Sequence, residues 1–282
     1  MRERGIIMTE QISSGGRLLT ETAVRMLRAR NAADLEAIAA IRRTAQALCS
    51  GADEAALPED PTGRDAYLSL TEACWQLQNR VLCTRELLCY EAGTAQPEEA
   101  FDLCRALRIF INRAEELTDG CLRAGVCEVP HGLYAHVYPE RLQFVLLHLL
   151  CTAVAEQPDG NTLDFCASNV QDDLRIELVL RRDPEAEVLP FRRQQADYDP
   201  DLPDAPQQLI ERFCDCFGVK LLQHSSAGKF ACILTMPAAR AVNPLVKVSS
   251  DSADYHDDTM FQAVLSRFVP AEIMLEAIAD YM

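Results

Sequence analysis

The sequence predicts an α+β protein: N-terminal helices and a helical hairpin, then an α/β sandwich, then a helical tail. Three observations predict it. Between Asp65 and Cys121 apolar residues step alternately by three and four, the spacing that lines one side of a helix. From Tyr138 to Glu156, Leu142, Val145, Leu146, Leu149, Leu150 and Ala153 form one wide apolar helical face. Arg-Ile-Glu-Leu-Val-Leu at 175–180 alternates polar with apolar, as a half-buried strand does.

Size and charge set outer bounds. The chain of 282 residues has 49% hydrophobic residues, enough for a sizeable core and two domains. Its formal charge of −16 argues against a nucleic-acid or anionic-membrane surface, since both favour basic patches. No run of about 18 apolar residues marks a transmembrane helix, and the opening residues are too interrupted for a signal peptide. Of the 12 cysteines, Cys74, Cys83, Cys89, Cys104, Cys151, Cys166 and Cys232 fall in apolar stretches. They read as small buried hydrophobes in a reducing cytoplasm rather than a disulfide frame. Cys214-x-Cys216 is tighter than a zinc knuckle, so no metal is expected.

In order, residues 18–49 read as one or two helices, closed by a loop over Ser50-Gly51 and Leu57–Gly63. Asp65 to Tyr90 is a long helix whose seam is Leu70, Cys74, Leu77, Val81, Thr84 and Leu88, with Trp75, Leu82 and Cys89 as a second stripe. Pro97-Glu98-Glu99 opens the next helix, where Ala100, Leu103, Leu107, Phe110, Ala114, Leu117 and Cys121 repeat the alternation. Two such helices form an antiparallel hairpin with more apolar surface than it can bury alone. Dimerisation into a four-helix bundle would bury it. Strands are expected at 125–129, 161–168, 174–181, 218–223 and 230–236, with a helix at 208–217. The stretch 182–207 is charged, proline-dotted and aperiodic. After Pro237, Phe261, Val264, Leu265 and Phe268 make one apolar face, and Pro270 starts a last helix. This tail either docks on its own body, the simpler expectation, or offers a helix to a partner. The divisions are 1–63, 64–124, 125–238 and 239–282.

Residues 138–156 resemble the first helix of the ATP-binding domain of sensor histidine kinases. Arg141-Leu142, Val145-Leu146, Leu149-Leu150 and Ala153 match that family's pattern. Gly218, Ser225, Gly228, Phe230 and Pro237 match its closing strands, and the preceding hairpin stands where the dimerisation hairpin does. The resemblance implies the family's ATPase-type sandwich, a homodimer, and a protein partner such as a response regulator or a kinase. It also names positions for Mg-ATP. His148 and Thr152 stand where the family places asparagines, and Asp183 keeps the acidic residue of the adenine-binding turn.

The rest of that chemistry is missing. No glycine lies between Gly160 and Gly218, although backbone that closes on phosphate or takes positive φ calls for it. Asp183, Glu185 and Glu187 would repel a triphosphate. The first hairpin helix should carry a phosphoacceptor histidine, yet Trp75 to Leu82 aligns there and no histidine precedes His131. His148 reads most simply as a core or pocket-rim histidine. His131 and His136 read as loop residues, and Ser225-Ser226 as turn chemistry. The expected function is a catalytically inactive histidine-kinase-like signalling protein without a cofactor. It would act by dimerising and binding proteins, with no nucleic acid and no membrane. The alternative is a phosphotransfer or nucleotide-binding protein with a non-standard site near His148 and Asp183. A pocket reused for a small ligand is left open.

Overall fold

A computed structural model describes residues 31, 34–41, 43, 45, 61–91, 93, 100–185, 191, 205–238 and 258–279. In chain order they form α1 (Pro61–Glu91), β1 (Phe101–Asp102), α2 (Leu103–Thr118), β2 (Arg123–Glu128), β3 (Tyr134–Ala135) and α3 (Pro139–Glu156). Then come β4 (Thr162–Val170), β5 (Asp173–Arg181), α4 (Ala205–Phe217), β6 (Lys220–Ser226), β7 (Lys229–Pro237), α5 (Asp258–Leu265) and α6 (Ala271–Ala279). Residues 34–41 are helical, as their composition predicts. Expectations for most of 1–60, 186–204 and 239–257 fall outside the described residues. The class is α+β, as the periodicities require.

Five strands in the order β2-β4-β5-β7-β6 carry the molecule. β2 runs parallel to β4, and every other pairing is antiparallel. In the central β5, Leu174, Ile176, Leu178 and Leu180 turn inward and are fully buried, while Arg175, Glu177 and Arg181 turn outward. The period-two reading therefore fixes which face receives the helices. β2 slips register at Gly125 and Val126. The Asp164 carboxylate fills that bulge, accepting from Val126 N at 2.8 Å and from Arg181 Nε at 2.7 Å. Gly125 is required there, because a Cβ would sit 2.0 Å from Asp164 Oδ1.

On the inner face α3 is buried on nearly every side, from Leu142 to Cys151. Pro139 opens it at a position whose N–H needs no intrahelical acceptor, and Glu140 favours the positive end. A helix with apolar residues all round belongs in a core, with other helices covering the face turned from the sheet. Here α1 and the tail cover it. The self-docked arrangement of the tail is the one observed: Phe261, Val264, Leu265, Val269 and Met274 are fully buried.

The loop expected through Gly63 is helical from Pro61, and Phe101–Asp102 form a strand where the next helix was expected. One larger placement also differs from the sequence reading. The helix expected as the hairpin's second arm, now α2, lies on the sheet instead of pairing with α1. Leu103 N donates to Leu133 O at 3.0 Å, Ala124 N donates to Glu115 Oε1 at 2.9 Å, and the Phe110 ring meets Phe165 edge-on at 5.5 Å. The stripe of a helix seated on a sheet and the seam of a helix pair share one spacing, so period alone does not choose between them. The seam expected on α1 divides for the same reason. Cys74 and Leu88 turn inward, with Trp75 and Leu82 of the second stripe, whereas Leu70 and Leu77 stay 39% and 48% exposed. On another side of α1, Asn31 Nδ2 donates to Val81 O at 3.5 Å and Ile38 is buried.

Candidate functional site on α3

His148, Phe144 and Cys151 project from one side of α3, as residues four before and three after one another do. That side meets α1 and α5. His148 Nε2 lies 3.6 Å from Cys83 Sγ on α1, and Cys151 Sγ donates to Val264 O of α5 at 3.7 Å. The Phe144 ring stands edge-on to the imidazole at 4.7 Å. With 1% of its surface exposed and no partner for Nδ1, His148 is held neutral: burial lowers its pKa from 6.5 to about 3, with Arg267 adding to the shift. The same burial pushes the Cys151 thiol up to about 11, so it stays protonated.

Thr152, one turn on, is half-buried and spends its hydroxyl on the His148 carbonyl at 3.1 Å. Such a bond back to the preceding turn occupies the only donor of the side chain. Asp183 sits just beyond β5 in a turn. Asn161 clamps its backbone from both directions, with Asp183 N donating to Oδ1 at 2.7 Å and Nδ2 donating to Asp183 O at 2.9 Å. The Asp183 carboxylate accepts from Glu185 N at 3.0 Å and lies 4.0 Å from Arg181. Each of the three positions singled out in the sequence is thus tied to its own surroundings, and apart from the Thr152–His148 bond no polar contact joins them.

Residues that sequence reasoning missed complete the picture. Cys83 and Val264 pack on the His148 side of α3 and the charge of Arg267 is felt there; periodicity marks the first two only as apolar helix positions. At the N-terminal end of α3, Arg141 Nε meets Glu86 Oε2 at 3.1 Å, and its guanidinium lies over the rings of Tyr90 at 5.2 Å and Tyr138 at 4.6 Å. Burial and the neighbouring Glu86 push the Tyr90 phenol upward. A cleft of about 470 Å³ opens elsewhere, on the outer side of the sheet, between Cys127, Glu128, Cys166, Arg175 and Glu177. Among the described residues no three His, Cys, Asp or Glu side chains come together as a metal would need. No helix among them is long and apolar enough to cross a membrane.

Comparison with solved structures places this architecture. Full-length ShkA, solved in complex with AMPPNP, is 17% identical, with a TM-score of 0.52 over 78% of this chain and 46% of its own. The fold is histidine-kinase-like. This chain therefore spans less than half of ShkA. The Acinetobacter baumannii histidine kinase AdeS matches at 13% identity and a TM-score of 0.45, over 72% of this chain and 96% of that one. A histidine kinase from Burkholderia phymatum matches at 15% and 0.38, over 78% and 100%. No protein-family model matches the chain, and no curated protein does. At these identities the kinase likeness is one of fold.

Proposed function

We propose that this histidine-kinase-like chain is a signalling protein that has lost nucleotide chemistry and works by dimerising and binding other proteins. The observation that carries the reading is the burial of His148. The side of α3 where the fold's nucleotide-gripping amides would stand is packed against Cys83 and the tail. Mg-ATP does not fit these residues. A triphosphate needs hydrated or charge-complementary walls and closely approaching backbone N–H groups. Here an imidazole held neutral, a hydroxyl already bonded and a carboxylate engaged in its own turn take those places.

Leu70 and Leu77, exposed seven residues apart on α1, support a second copy as one partner. The net charge of −16 favours a further partner with a basic face, such as a response regulator or a kinase. Every described cysteine is free of disulfides, which suits a reducing compartment such as the cytoplasm. Thermal unfolding with and without Mg-ATP tests the reading. No shift is expected at millimolar nucleotide, and a rise of several degrees would favour the phosphotransfer or nucleotide-binding alternative near His148 and Asp183.

A further inference from the structure

α5 and α6 stand between the N-terminal half of α1 and the sheet-bearing body. α1 packs chiefly on α4, α5 and α6, and reaches α3 through side chains, Cys83 on His148 and Glu86 on Arg141. Its C-terminal end is fastened directly to the body by Glu86 on Arg141 and by Glu91 on Arg212 at 2.9 Å. Its N-terminal half is fastened to the tail. Arg64 pairs with Glu272 and lies 3.6 Å from Glu276, and Glu72 Oε1 accepts from Ala271 N at 3.4 Å.

The tail is fastened in turn to the sheet-bearing body. Phe261 packs on Phe110 at 5.4 Å, Val264 O accepts from Cys151 Sγ, and Asp258 pairs with Arg113 at 2.7 Å. From Met260 to Leu265 every residue of α5 is buried, so this helix has neighbours on all sides rather than one apolar face and one wet face. A surface helix docked on a finished core would keep a solvated stripe. An element buried all round joins the layers on either side of it.

We propose that α5 and α6 are an internal strut that locks α1 to the sheet-bearing body, so that a partner meets both as one rigid surface. Without the strut, α1 keeps its C-terminal anchor and swings at its N-terminal half. The strut uses the same packing of α5 that closes the nucleotide face, and its test reads exchange in α1 without nucleotide.

Hydrogen exchange on the full chain and on a chain ending at Ala238 tests the strut. Amides of α1 between Leu68 and Asn79 are expected to exchange at least about tenfold faster in the shortened chain, while those of β4, β5 and β7 keep their protection. Unchanged exchange in α1 would overturn the proposal. So would equal loss in α1 and the central strands, because the tail would then be one more piece of a single cooperative core. If the shortened chain does not fold, Met274→Ala in the full chain reads the same contrast. Met274 is fully buried in α6; loss centred on α1 supports the strut, and loss spread evenly over the sheet contradicts it.

Discussion

Glu86 of α1 and Arg141 of α3 form an ion pair at 3.1 Å, with side chains only 11% and 17% exposed. A buried pair contributes little beyond what packed hydrophobes would, but removing Arg141 leaves Glu86 only Arg85, whose Nε lies 3.3 Å from Oε1. Arg141→Met is expected to cost about 3–5 kcal/mol in chemical denaturation, with much of that recovered when Glu86→Gln is added. Equal and additive losses in the two single variants would show that the pair is not coupled.

Acid should weaken the protein through His148. Burial lowers its pKa from 6.5 to about 3, so the unfolded chain binds a proton that the folded chain refuses. The stability tied to neutral His148 is complete above about pH 6.5. It falls as pH drops through that value toward 3, on the order of 1 kcal/mol per pH unit within the window. Denaturation midpoints at pH 7 and pH 5 should separate more in the parent chain than in His148→Asn. A slope that the substitution leaves untouched would mean that this imidazole titrates normally.

Gly125 and Asp164 should behave as one unit. A Cβ at 125 meets a carboxylate pinned by Val126 and Arg181, so Gly125→Ala is expected to cost about 1–3 kcal/mol through overpacking. Asp164→Ala also destabilises, by leaving Val126 N without its acceptor and Arg181 with only Asp183, 4.0 Å away. The double variant should be less damaged than the sum of the singles, measured as a thermodynamic cycle.

These local tests mirror what was legible in the sequence. β5 and β7 were readable because burial on one face writes itself as alternation, and α3 because a helix inside a core is apolar nearly all round. The two-residue pair β1–β3 left no signal, since two residues show no period. The partner of α2 was not readable either, because Leu103, Leu107, Phe110 and Ala114 would serve a sheet or a second helix equally well. Of the site, the substitutions at His148 and Thr152 and the retained Asp183 were visible. What covers the His148 side of α3 was not: Cys83 and Val264 lie far from α3 in sequence, and the contact is made only by tertiary packing.

The exposed stripe on α1 gives the assembly test. Leu70→Asp with Leu77→Asp should convert a dimer to a monomer in sedimentation equilibrium, with secondary structure and unfolding of the monomer little changed, because both side chains face solvent within one chain. A monomeric parent chain, or a double variant that still dimerises, would remove this stripe from the assembly.

Equilibrium dialysis of labelled ATP with magnesium against the intact chain decides whether the nucleotide face is closed. No saturable binding is expected up to millimolar ATP, because His148 and its neighbours are already packed against Cys83 and Val264. Saturable uptake of one nucleotide per chain, weakened by Thr152→Ala or Asp183→Ala, would contradict the account.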